Sequence, residues 1–182
     1  THTQSSAASD VYKRQREMAI NENKDIERWI EAEQSEPVLE PGLPIIDPHH
    51  HLWDLRKLNE LGFRQEVYLC EEISNDIAQS GHSIHKTVFA QCGAFYRADG
   101  PEKMRCVGET DFANGVAAMS RSGLYGDTEL CAGIFSSADM RLGSSVQAVL
   151  EAHLDASENF RGIRTALPSE LHSNCIDAFS VI

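Results

Sequence analysis

Three consecutive histidines, His49, His50 and His51, close a short apolar run, Leu43-Pro44-Ile45-Ile46, directly after Asp47 and Pro48. Imidazole is at once a metal ligand, a general base and a hydrogen-bond donor near neutral pH, so residue type alone makes this run the first place to look for chemistry. Strand residues alternate faces, which sends His49 and His51 to one side and His50 to the other. Two imidazoles on one side can share one cation. A histidine-decorated surface turn is the competing reading, since Pro48 punctuates the chain. An apolar strand that spends its last positions on imidazoles fits an active-site pair better.

Further residues could join them. Arg161 and Arg164 are three apart and fall on opposite faces of a strand. Arg164, nearer the strand's C-terminal end, is the better candidate for binding a substrate carboxylate through its planar fork; pairing with a structural carboxylate is its bland alternative. Gln91, at the end of another strand, is a second substrate-binding candidate, and Asp139 a weaker one. Cys92 reads as a small hydrophobe, with a nucleophilic role as the lesser alternative.

The elements that must position these residues follow from periodicity. Residues 43–47 read as a first strand, and 52–66 as a long loop with Trp53, Phe63 and Arg64 available to line a pocket. Leu69, Ile73 and Ile77 recur every four residues before Gly81, which predicts a helix closed by a left-handed cap. The pattern repeats. A strand over 85–92 precedes a helix marked by Phe112, Val116 and Met119, and a strand over 130–135 precedes a helix capped by Ser144 and carrying Val146, Val149, Leu150, His153 and Leu154. Residues 160–167 supply a fourth strand, and a helix begins near Ser173. Strands alternating with helices imply an α/β fold with parallel strands joined by crossovers, about four βα units in all.

Upstream, Ile26, Trp29 and Ile30 recur at helical spacing, so 18–42 reads as an amphipathic helix and a proline-broken linker. Residues 1–17 are polar and aperiodic, and read as a non-native or disordered leader.

Composition bounds the function. The 182 residues are 41% hydrophobic, enough for a core, and carry a net charge of −12. That charge argues against nucleic acid and anionic lipid as partners. No apolar run is long enough to span a bilayer. The five cysteines are odd in number and lack a Cys-x-x-Cys pair, as expected of reduced thiols, so a soluble cytoplasmic protein is the expectation.

The run Asp47-Pro48-His49-His50-His51 resembles the first-strand Asp-x-His-x-His signature of the amidohydrolase superfamily, and within it the amidohydrolase-related family 2 of lactonases and decarboxylases. Phe160-Arg161-Gly162-Ile163-Arg164 is similar to the fourth strand of that group, where a Gly-hydrophobic-Arg segment sends a guanidinium into the pocket. The resemblance covers residues 43–182 and implies the N-terminal half of a TIM (β/α)8 barrel, truncated before the fifth strand; a small doubly wound sheet is the competing architecture. It implies that His49 and His51 bind a divalent metal, commonly zinc, or polarise a carbonyl by hydrogen bonding without metal. It further implies a hydrolase cleaving a lactone or related cyclic ester of an acidic small molecule. The catalytic aspartate and further histidines of the family would lie on strands not present here, so this chain by itself is expected to be inactive. A decarboxylase on the same scaffold and a non-catalytic half-barrel binding module remain the alternatives.

Overall fold

The computed structural model describes Asp25, Arg28, Trp29 and residues 37–56 and 66–164. The expected leader, most of the upstream helix, Phe63, Arg64, Cys175, the end of the fourth strand beyond Arg164 and the helix from Ser173 lie outside the described residues. The chain divides into two compact units, one of Thr1–Leu39 with Asp54–Val67 and one of Glu40–Trp53 with Tyr68–Ile182. In the first, Asp25, Arg28 and Trp29 are helical, Arg28 pairs with Asp25 at 3.2 Å, and the Leu55 N–H donates to the Glu66 carbonyl.

The second unit holds the sheet. Its strands are β1 (Pro44–His50), β4 (Ser83–Ala90), β5 (Glu129–Ser136) and β6 (Phe160–Ile163), all parallel and side by side in chain order. Two short strands, β2 (Trp53–Asp54) and β3 (Val67–Tyr68), pair with each other, and Trp53 stacks on Tyr68 with ring centroids 5.3 Å apart. The loop expected over 52–66 is therefore pinned at both ends by a ladder that no alternation of residue types announced.

Three α-helices follow strands: α1 (Cys70–Ser80), α2 (Val107–Ser120) and α3 (Gln147–Ala156). The start of α1 is closed by Glu72, whose carboxylate accepts the Leu69 N–H at 2.8 Å, and its end by Gly81 at φ 74°, the left-handed cap that the sequence predicts. Ser144 does not cap α3. The chain enters that helix through a 3-10 segment, Met140–Val146, whose backbone already receives the Gln147 N–H at the Ser144 carbonyl, and it is Asp139 that accepts a backbone N–H, from Arg141.

One sheet face packs on the helices through Phe89, Leu130, Ile134, Ile73, Ala113, Val116 and Ala117. Ala113 and Ala117 let α2 lie close to β5, and this displaces Met119, expected in the core, to 41% exposure; Leu154 on α3 is likewise exposed at 60%. The small residues, rather than the large ones at the same period, mark the buried stripe.

A buried polar chain crosses this interface. The Ser137 carbonyl can only accept, so Nε2 of His153 donates to it at 2.9 Å, and Nδ1 accepts from the Thr110 hydroxyl at 2.8 Å. Thr110 in turn accepts from Ser136. His153, Thr110 and Ser136 are buried, and burial holds the His153 pKa below the usual histidine range.

Candidate functional site

Among the described residues the first strand is an edge strand, paired with β4 alone, and most of its residues are exposed or half-buried, His50 being buried. It runs to His50, with His51 one residue beyond. Alternation then separates the three imidazoles. His50 turns to the helix side, is 7% exposed, and its Nε2 lies 2.9 Å from the Thr87 hydroxyl; burial lowers its pKa to about 4. His49 and His51 meet, with Nε2 to Nε2 at 3.1 Å and ring planes at 88°.

The protons of this pair are set by its neighbours. Nδ1 of His51 lies 2.7 Å from the Ala90 carbonyl, which only accepts, so Nδ1 carries the proton and Nε2 of the neutral ring presents a lone pair. Arg164 lies one residue past β6, its N–H bonded to the Ser136 carbonyl, and its Nη1 stands 3.2 Å from Nε2 of His49. A guanidinium only donates, so this Nε2 also presents a lone pair. The two Nε2 atoms therefore stand 3.1 Å apart with no proton between them, the single lone pair of His49 accepting from Arg164 and that of His51 left open; a cation at the pair would take the His49 lone pair over from Arg164. An added proton is disfavoured on His51, whose pKa is lowered by burial first and then by Arg164 and His49. Two nitrogens on a tetrahedral zinc, each about 2.05 Å away, are separated by roughly 3.3 Å, so the spacing of the pair matches such an ion once Arg164 has released His49. Among the described residues no group of three or more His, Cys, Asp or Glu surrounds one point.

Asp47 supports the run by accepting the His49 N–H at 3.0 Å, holding the backbone where the strand ends. Gln91 follows Ala90, but its side chain is turned to the Tyr96 hydroxyl at 3.3 Å. Asp139 is engaged by Arg141 through two side-chain hydrogen bonds, and Arg161 donates to the Glu158 and Phe160 carbonyls, away from the histidines. The Cys92 thiol is pushed up to about 12, by burial first and then by the nearby Glu109, which leaves it protonated and a poor nucleophile.

The sequence reading missed Glu109. In a helical first turn an acid reads as a solvated charge favoured by the helix dipole. Here it is 1% exposed, and its Oε1 receives the backbone N–H groups of Cys92, Gly93 and Ala94. A shallow concavity lined by Asn75, Ala78, Tyr125 and Asp127 lies where the strands begin and includes none of these residues. Among the described residues no helix is long and apolar enough to cross a membrane.

Comparison of the chain with known protein families, with curated proteins and with solved structures gave no match.

Proposed function

We propose that the chain is part of an amidohydrolase-like hydrolase that opens a lactone or related cyclic ester of an acidic small molecule. The observation that carries the reading is the approach of two unprotonated Nε2 atoms, on His49 and His51, with the Arg164 guanidinium bonded to the first and releasable to a substrate acid when a cation takes its place. A divalent ion such as zinc, bound at the two Nε2 atoms, would supply Lewis-acid polarisation of the scissile carbonyl. Ala90 keeps His51 in the tautomer that a ligand needs, and Asp47 steadies the backbone of His49. Arg164 would hold the substrate's acid group and orient the ring for attack. A catalytic zinc takes about three protein ligands, so this reading assigns the third ligand and the water-activating base to residues outside the described ones.

The same reading makes the sheet one half of a (β/α)8 barrel. Its strand order follows the chain without reversal, whereas a doubly wound sheet changes direction at a switch point. The site gathers residues that follow or end β1, β4 and β6 at their C-terminal ends, the face where barrel enzymes place their chemistry.

The test is a Co2+ titration of the chain followed by its visible absorption, together with a lactone hydrolysis assay of the protein carrying the remaining ligands. Nitrogen-ligated cobalt spectra lost in both His49→Ala and His51→Ala are expected. Binding that survives both substitutions would end the metal reading, and release of carbon dioxide in place of a ring-opened acid would reassign the scaffold to decarboxylation.

A further inference from the structure

We propose that Glu109 is a positioning residue for His51, acting through the turn Cys92–Ala94; the role in ligand binding rests on the cation-site reading above, the positioning itself does not. Three successive backbone N–H groups converge on one carboxylate oxygen, at 2.9, 3.1 and 3.2 Å from Cys92, Gly93 and Ala94. Such a concavity of N–H groups is an anion-binding nest, and here the chain fills it with its own buried side chain. The second oxygen, Oε2, is buried with no hydrogen-bond partner, so the carboxylate's directional bonding goes to this turn alone.

The turn is built for the approach. Gly93 sits at φ 86°, in the left-handed region that favours glycine. Gly108, directly before Glu109, lies against the next stretch of the loop: a Cβ there would stand 2.7 Å from the Phe95 carbonyl oxygen and 2.8 Å from the Arg97 nitrogen. Only a residue without a side chain lets α2 bring Glu109 this close.

His51 is bracketed by the segment that Glu109 holds. On one side Ala90, two residues before Cys92, accepts the Nδ1 proton of His51. On the other the Cys92 thiol donates to the carbonyl of Leu52, the residue after His51, at 3.3 Å. Between them the Gln91 N–H is fixed to the Phe135 carbonyl at 2.8 Å. Taking away the carboxylate leaves three donors without their acceptor, that of Ala94 buried and those of Cys92 and Gly93 partly buried, a cost the turn relieves by rearranging, and the Ala90 carbonyl and Cys92 thiol move with it. The expected consequence is loss of the single His51 tautomer rather than loss of the fold alone.

The experiment is a long-range 1H–15N spectrum of the histidine rings in the labelled full chain at pH 8, with His51→Asn to assign its signals and no metal present. Wild type is expected to show His51 protonated at Nδ1. Glu109→Ala should show His51 as a mixture of tautomers, and a separate zinc titration should weaken by about tenfold, the size seen when a metal ligand's supporting partner is removed. Glu109→Gln, which keeps an oxygen in the nest, should restore the single tautomer. A folded Glu109→Ala with the wild-type His51 spectrum overturns the proposal. Where Ala prevents folding, Glu109→Asp withdraws the carboxylate by one methylene and carries the same expectation, and an unchanged spectrum there overturns it equally. A chain that shows the tautomer change yet binds no zinc sinks the metal reading and leaves the positioning role standing.

Discussion

Arg164 and His49 meet at 3.2 Å although they belong to the two opposite edges of the four-stranded sheet. Laid flat, three strand spacings would put those edges roughly 14 Å apart. The guanidinium is thus delivered across the sheet to the lone pair of an imidazole on the far edge.

An acidic substrate should feel this most. On the proposed function, Arg164→Met in the metal-loaded protein is expected to weaken transition-state binding of a carboxylate-bearing lactone by about 2 to 5 kcal/mol, the cost of removing one partner of a charged hydrogen-bonded pair. A neutral lactone should lose far less. Comparing kcat/KM for the two substrates checks this; equal losses would make Arg164 a structural residue.

The three histidines should separate by role. His49→Ala and His51→Ala are expected to abolish Co2+ or Zn2+ binding with small changes in Tm, because His49 is exposed and His51 only half buried. His50→Ala should leave the metal affinity in place while lowering stability, since it empties a buried position against Phe89 and Thr87. Calorimetric titration beside a thermal melt of each variant separates the two effects, and a metal-binding loss in His50→Ala with unchanged Tm would reverse the assignment.

Stability should carry the imprint of Glu109. Burial pushes its carboxyl up to about 7 against the pull of the Cys92, Ala94 and Gly93 N–H groups, from an ordinary value of 4.5. The folded protein therefore keeps a proton that the unfolded chain releases, and this stabilisation is present below pH 4.5 and lost as pH rises through about 7, to the order of 3 kcal/mol. His50 runs the other way, with stability lost as pH falls from 6.5 through about 4. Cys92, Cys106 and Tyr96, which interact with Glu109, are all raised and stay protonated across this window. In Glu109→Gln the descending contribution disappears, so Tm should climb more steeply with pH between 4.5 and 7 than in wild type. Parallel curves would show that Glu109 does not titrate there.

Two glycines of α2 should answer oppositely to alanine. Gly108→Ala drives a methyl into the Phe95 carbonyl and the Arg97 backbone and should cost about 1 to 3 kcal/mol. Gly115 has nothing within 4 Å of its would-be Cβ and is exposed in the helix interior, so Gly115→Ala should stabilise by up to about 1 kcal/mol. Urea denaturation of both variants gives the signs directly.

What the sequence made legible is what repeats locally. The pleat of an extended chain at the strand's end was enough to send His49 and His51 one way and His50 the other, although the pairing with β4 shifts register between Asp47 and His50, and Gly81 marked the end of α1 by a conformation glycine adopts at little cost. The meeting of Arg164 with His49 was legible only as two residues near strand ends, because which strands are neighbours is a long-range property. Glu109 was hidden for the same reason. Nothing in Val107-Gly108-Glu109-Thr110 tells a solvated acid from one buried beneath a turn fifteen residues earlier, and Gly108 looks like a weak point in the helix until the Phe95 backbone is placed against it. Ser144 and Asp139 show the opposite error, in which a good capping type was present but the backbone route into α3 selected the other residue.

The chain of hydrogen bonds from Ser136 through Thr110 and His153 to the Ser137 carbonyl runs in a single direction, since that carbonyl fixes each donor in turn. Moving α3 by one residue rotates its side chains by about 100°, which would carry His153 off the line and leave the Thr110 hydroxyl proton without its acceptor in a dry interior. The apolar neighbours Val149 and Leu150 tolerate such a slip far better, because dispersion contacts have no polarity to violate. The chain thus works as a key for helix register: it adds little to the depth of the native minimum and raises the near-native alternatives around it.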